Sequence, residues 1–226
     1  LGLKLALFPL HLWLPNSYTF APSLISALFA ATGTKVGIYL LLRFIFTVFQ
    51  TPQNTHLLSI NAVILALAFS GVLAASIVAV YQTDVRRLLA YSSVAQIGYI
   101  MIGIALTSQQ GLTGAIIHLF NHGLMKAALF AAIGTVALKT GDVSLRRLSG
   151  IAKQMPLTMA AFIVATLSLI GIPGTVGFIS KWYLLLAVLE TPGFLGILGA
   201  ISIIGGSLLS VIYMWRIVEV AYFENP

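Results

Sequence analysis

The sequence predicts an all-α, polytopic transmembrane helix bundle in which two helices are discontinuous. Three observations predict it. Hydrophobic residues make up 59% of the chain and charged residues 8%, whereas a soluble domain carries about a quarter charged residues. Apolar runs of ~20 residues recur along the whole length, the span a helix needs to cross ~30 Å of hydrocarbon. Two of those runs contain proline, at Pro9 and Pro173.

The runs place about seven spans in one transmembrane domain, residues 1–226. The first, residues 1–14, opens inside an apolar run and is read as the truncated end of a longer chain. The others cover residues 23–49, 58–81, 88–106, 111–138, 156–189 and 194–223. The sixth exceeds one straight crossing and contains Gly171-Ile172-Pro173-Gly174. Proline removes a backbone donor and clashes with the preceding turn, so the first and sixth spans should be kinked or broken. In hydrocarbon, broken backbone survives only where protein buries it or where it lines a wet cavity. Two such helices point to a translocation site near them.

Orientation follows from the loops. Those on the side reached after the first span hold Arg86, Arg87, Lys139, Arg146, Arg147, Lys153 and Arg216, against Arg43 alone on the other. This positive-inside bias makes the first side cytoplasmic, in a cell's inner (plasma) membrane. It also accounts for these arginines and lysines as topology determinants. The net charge of +7 is therefore no nucleic-acid footprint; the surroundings expected are lipid and other membrane subunits. The chain has no cysteine, which rules out disulfides, thiolate metal sites and Cys-ligated iron–sulfur clusters in this stretch. No cofactor is expected in it.

Some ionisable residues belong to no loop. Lys4 lies in the first span, Lys35 in the second within Gly33-Thr34-Lys35-Val36-Gly37, and Lys181 in the sixth, eight residues after Pro173. The fifth carries His118, His122 and Lys126 in GAIIHLFNHGLMKAALF (114–130). Each charge at depth costs ~2.5–3.5 kcal/mol on the insertion scale, so such residues face a bundle interior or water. Asp84, Asp142, Glu190 and Glu219 all fall in loops or near span ends, leaving the lysines without an acidic partner. A desolvated amine trades its proton readily, and so does an imidazole.

Spacing of four puts His118, His122 and Lys126 on one helix face, over ~12 Å of axis. A proton relay explains all three. Interhelical hydrogen bonding would explain each histidine singly. Metal ligation has two candidate ligands but neither an HExxH motif nor an acidic third ligand. His11 and His56 sit near span ends and read as interfacial. Trp13, Trp182 and Trp215 suit an aromatic belt, with Trp182 placed to wall a cavity beside Lys181. Gly33 and Gly37 form a GxxxG that suits close packing and a loosened helix around Lys35. Lys181, two turns past Pro173, is expected at an aqueous mouth, better hydrated than Lys35.

Four ordered motifs carry a family resemblance. LKLALFPLHLWLPNSYTFAPSLISALFAATGTKVGIYLLLR (3–43), DVRRLLAYSSVAQIGY (84–99), HLFNHGLMKAALF (118–130) and MPLTMAAFIVATLSLIGIPGTVGFISKW (155–182) together resemble the antiporter-like subunits of respiratory complex I and the Mrp cation/proton antiporters. The stretch around Lys35 looks most like the D-type Mrp subunit, and GFISK departs from one complex I type that carries glutamate there. The resemblance implies about fourteen helices with two inverted five-helix repeats, this chain supplying the second. It places Lys4 on the seventh helix, Lys35 on the eighth, the His/His/Lys stripe on the eleventh and Lys181 on the broken twelfth. It implies proton transport, exchanged for sodium in an Mrp complex. The alternative it implies is the proton-pumping arm of an NADH:quinone oxidoreductase or related complex, with redox centres in partner chains. A scaffold that has lost its channel is a third class.

Overall fold

The computed structural model describes residues 1–49 and 58–224; His56 lies outside them. A first interrupted crossing consists of α1 (Gly2–Leu5) and α2 (Trp13–Phe20). Three long helices follow: α3 (Ser23–Arg43), continued by a π-helical turn at Phe44–Val48, α4 (Leu58–Val80) and α5 (Val85–Ala105). Next come α6 (Gln109–Thr140), the short α7 (Ile151–Gln154), the half-length pair α8 (Pro156–Ile170) and α9 (Val176–Leu189), and α10 (Phe194–Phe223). Among the described residues, five helices are long and apolar enough to cross a membrane: α3, α4, α5, α6 and α10.

Local chemistry sets these boundaries. Asp84 caps α5 by accepting from the Arg87 amide at 2.9 Å, and Ser108 caps α6 by accepting from the Gly111 amide at 3.0 Å. Orphan amides of a first turn need such acceptors. Both helices consequently start a few residues before the apolar run that marks them, at 85 rather than 88 and at 109 rather than 111. The first crossing also reaches further than residues 1–14, because the chain re-forms a helix from Trp13 to Phe20. In between, α1 stops at Leu5, four residues before Pro9, where the proline ring would meet the helical carbonyl. The Trp13 indole donates to the Leu3 carbonyl at 2.9 Å, so it ties the two halves of this crossing together.

The sixth span is two helices. Gly171 ends α8 with φ +88°, a left-handed conformation that glycine adopts without penalty. Pro173 bars resumption, and Thr175 then caps α9 by accepting from the Phe178 amide at 3.3 Å. The two halves meet closely at Gly177, where an added Cβ would overlap the Ser168 carbonyl oxygen.

Helix α5 is the central post: 94% of its span is buried, against 28% for α3 and 33% for α10. It packs against α2, α4, α6, α9 and α10. The outward surface is apolar, with Phe20, Leu138 and Leu157 each more than 80% exposed; such a surface suits lipid. The protein is a multi-pass membrane protein of the plasma membrane.

One end of the bundle collects most of the cations. Arg86 donates to the Thr19 carbonyl at 3.2 Å and to the Ser23 hydroxyl at 2.8 Å, closing the α2–α3 corner. Arg216 donates to the Val80 and Gln82 carbonyls, so it caps α4. Both arginines therefore hold helix ends together, besides any part in setting topology. In the same region the Ser144 hydroxyl and amide donate to Asp142, holding its carboxyl below the usual carboxylate range. At the opposite end, Gln110 of α6 donates to Glu190 at 2.7 Å.

Candidate functional site

Within the bundle, α6 turns one polar stripe inward. His118, His122 and Lys126 are all 0% exposed. Their rows interlock with α5, which runs antiparallel and presents Leu89, Ser92, Gln96 and Tyr99 on one face. The Lys126 ammonium donates to the Leu89 carbonyl at 2.8 Å and the Ser92 hydroxyl at 2.5 Å. The two histidine rings lie parallel, 7° apart in plane and 6.2 Å between centroids. His118 is held on both sides, its Nε2 2.9 Å from Gln96 Oε1 and its Nδ1 2.8 Å from Ser180 Oγ of α9. Neither nitrogen of His122 has a hydrogen-bond partner among the described residues.

Tyr99 extends the line toward the break. Its ring meets His118 edge-on at 5.8 Å, and the Lys181 ammonium sits 4.9 Å above it, a cation–π distance. Lys181 also donates to the Leu169 and Ile170 carbonyls, both at 2.9 Å, and to the Ser207 hydroxyl at 3.1 Å. It thereby satisfies the last carbonyls of α8, which the break has left without amides. Lys181 is only 6% exposed. It still borders a cleft of about 240 Å³ with Trp182 and Ser207, so Trp182 does wall a cavity.

Lys35 approaches from α3. It is half-buried, donates to the Ala30 carbonyl and lines a cleft of about 490 Å³ between α3 and α6 with Tyr39, Leu119 and Gly123. The expected order of enclosure is thus reversed: Lys35 borders the larger cleft, while Lys181 is tucked against helix-end carbonyls. Helix α3 runs unbroken past Lys35, so the glycines do not loosen it. Gly37 instead admits α1, since a Cβ there would be 3.0 Å from Leu5. Lys4 stands apart. It is exposed and borders a separate cleft of about 320 Å³ with Trp13 and Thr34. His11 is buried, 6% exposed, and stacks on Phe8, so it faces the bundle interior.

The structure therefore brings His118, His122, Lys126 and Lys181 together, sets Lys35 beside them, and leaves Lys4 apart. Sequence reasoning missed Gln96, Ser180, Ser92, Tyr99 and Ser207, which hold the ionisable groups. The available signal was polar residues recurring at helical spacing in α5 and Ser180 standing directly before Lys181.

Comparison with known proteins gives one consistent result. The family described as NADH:quinone oxidoreductase/Mrp antiporter, TM, matches residues 1–211. The chain is 44% identical to the N-type subunit of the NADH-quinone oxidoreductase of Desulforudis audaxviator, covering 100% of this chain and 44% of that one. It is 36% identical to the D-type subunit of the Na(+)/H(+) antiporter of Alkalihalophilus pseudofirmus, covering 98% of this chain and 44% of the relative. The structure of the Mrp complex from Dietzia sp. contains a chain that superposes with TM-score 0.91 at 33% identity, covering 100% of this chain and 41% of that one. The chain thus spans a little under half the length of the relatives it matches.

Proposed function

The chain belongs to the NADH:quinone oxidoreductase/Mrp antiporter transmembrane family, and on that footing we propose that it moves protons through its buried amines and imidazoles. One observation carries the reading: Lys126, His122, His118 and Lys181 form a buried line across α6 and α9, and among the described residues no acidic partner is hydrogen-bonded to any of them. Charges buried this way are costly, and a functional task is the default reading of them. Lys35 is the central carrier, reaching the line from the α3–α6 cleft. The stripe on α6 is the relay, and Lys181 is the terminal exchange group at the break. Lys4, on α1 where that helix meets Gly37 of α3, is the charge-coupled switch. Among the described residues neither nitrogen of His122 bonds His118 directly, so a water molecule carries the proton across.

Two assemblies suit such a path, and in either one other membrane subunits are its partners. The likeness to a D-type antiporter subunit supports exchange of protons for sodium. The higher identity to an N-type oxidoreductase subunit supports a pumping arm of a quinone-linked complex. Proton uptake by proteoliposomes of the purified complex separates them: a sodium gradient alone drives the first, and only quinone turnover drives the second.

The carrier role has its own test. Lys35→Ala should abolish proton transport while assembly is kept. Lys35→Arg should fail as well, because guanidinium holds its proton. Full transport by the arginine variant would exclude Lys35 as a carrier.

A further inference from the structure

His118 is fixed at both ring nitrogens, and its two partners are not equivalent. The amide oxygen of Gln96 can only accept, so Nε2, 2.9 Å away, donates to it and keeps its proton. That leaves Nδ1 as the nitrogen that gains and loses one. Opposite Nδ1 stands the Ser180 hydroxyl at 2.8 Å, and the same oxygen is 3.0 Å from the Gly177 carbonyl. A hydroxyl has one proton to give and lone pairs to receive. It can therefore serve Nδ1 or Gly177, but not both at once.

We propose that Ser180 is the proton-transfer residue for His118, passing protons between its Nδ1 and the α9 side while Gln96 holds Nε2. The inference rests on the reading that His118 lies in the proton path. In the neutral ring, Ser180 donates to Nδ1. On loading, that hydroxyl proton passes to Nδ1 as the serine oxygen takes one proton, through water, from the Lys181 ammonium. An N–H bond forms and the imidazole becomes imidazolium; the ammonium becomes an amine, and serine ends unchanged. Its new O–H points to the Gly177 carbonyl, and its oxygen accepts from Nδ1–H. On discharge the Nδ1 proton leaves through water toward His122, the next group of the line, and the serine hydroxyl turns back to Nδ1. Gly177 suits this role because it sits against the Ser168 carbonyl, so the acceptor belongs to the α8–α9 junction itself.

Nitrogen-15 NMR of histidine-labelled protein in bilayers reads the ring directly, with His118 assigned by its loss in His118→Gln. The neutral ring is expected to carry its proton on Nε2. A neutral ring protonated on Nδ1 overturns the proposal, whatever the variants do. Proton transport by the assembled protein provides the second arm. Ser180→Ala should lower it at least about tenfold, a modest value for losing a positioned proton-transfer group, whereas Ser180→Thr, which keeps the hydroxyl, should retain it. Wild-type transport by Ser180→Ala excludes the serine but leaves the path through His118 standing. Wild-type transport by His118→Gln removes that path, and the proposal with it.

Discussion

At the level of single residues, the site is made of groups that differ in how much structure they hold. The Lys126 ammonium bonds Leu89 and Ser92, yet the Ser92 hydroxyl also donates to the Leu89 carbonyl at 2.9 Å. Removing the amine therefore strands neither partner. Replacing a buried charge by an apolar side chain of similar volume is often neutral or stabilising. Lys126→Met should thus leave thermal stability within about 1 kcal/mol of wild type while proton transport falls. A large loss of stability with transport intact would show Lys126 to be a structural bond. Gly177 and Gly174 offer a contrast. A Cβ at 177 would overlap a backbone oxygen, whereas one at 174 meets nothing within 4 Å among the described residues. Gly177→Ala should cost about 3 kcal/mol or more, as overpacking with no room to yield does. Gly174→Ala should cost only the ~1–2 kcal/mol of holding alanine at positive φ. Equal melting shifts for the two would contradict the packing at the junction. The ionisable residues were legible in the sequence because they stand out against hydrocarbon-like surroundings. Their neutral partners were not, since serine and glutamine occur in membrane helices for many reasons.

The broken helix shows how an element can be legible in one respect and opaque in another. Pro173 announces an interruption between 156 and 189, and the structure puts it at residues 171–175. What proline does not announce is how the freed carbonyls are satisfied. Here Lys181 reaches back across the break to Leu169 and Ile170, because its stem is long enough to follow α9 down to the end of α8. A reading from spacing alone sets it at a wet mouth instead. The lysine consequently has a structural task as well as its proposed exchange role. Lys181→Met should lower stability by about 1–3 kcal/mol, the range for losing hydrogen bonds from a charged donor to buried acceptors. Under the same thermal assay Lys126→Met should be nearly silent. Similar stability for the two variants would mean that the α8 carbonyls do not depend on the amine.

For the whole molecule, apolar length marked the long helices, and charges placed where lipid forbids them marked the polar axis. The packing order was not legible, because α5 reads like any other apolar run until α2, α4, α6, α9 and α10 surround it. Nor does the bias of loop charges disclose that Arg216 caps α4. Arg216→Ala should cost about 1.5–3 kcal/mol of stability without inverting the topology, which protease accessibility of the two faces would check. The central claim is that protons travel along the line from Lys126 to Lys181, and His122 tests it most directly. Its imidazole is fully buried yet bonds to nothing among the described residues, so an apolar replacement breaks no hydrogen bond to them. The measurement is proton flux into liposomes containing His122→Leu, normalised to assembled protein and paired with its thermal stability. Stability should equal or exceed that of wild type, and flux should fall at least about tenfold, as for loss of a proton-transfer group. Flux equal to wild type in a stably assembled His122→Leu protein would contradict the proton path.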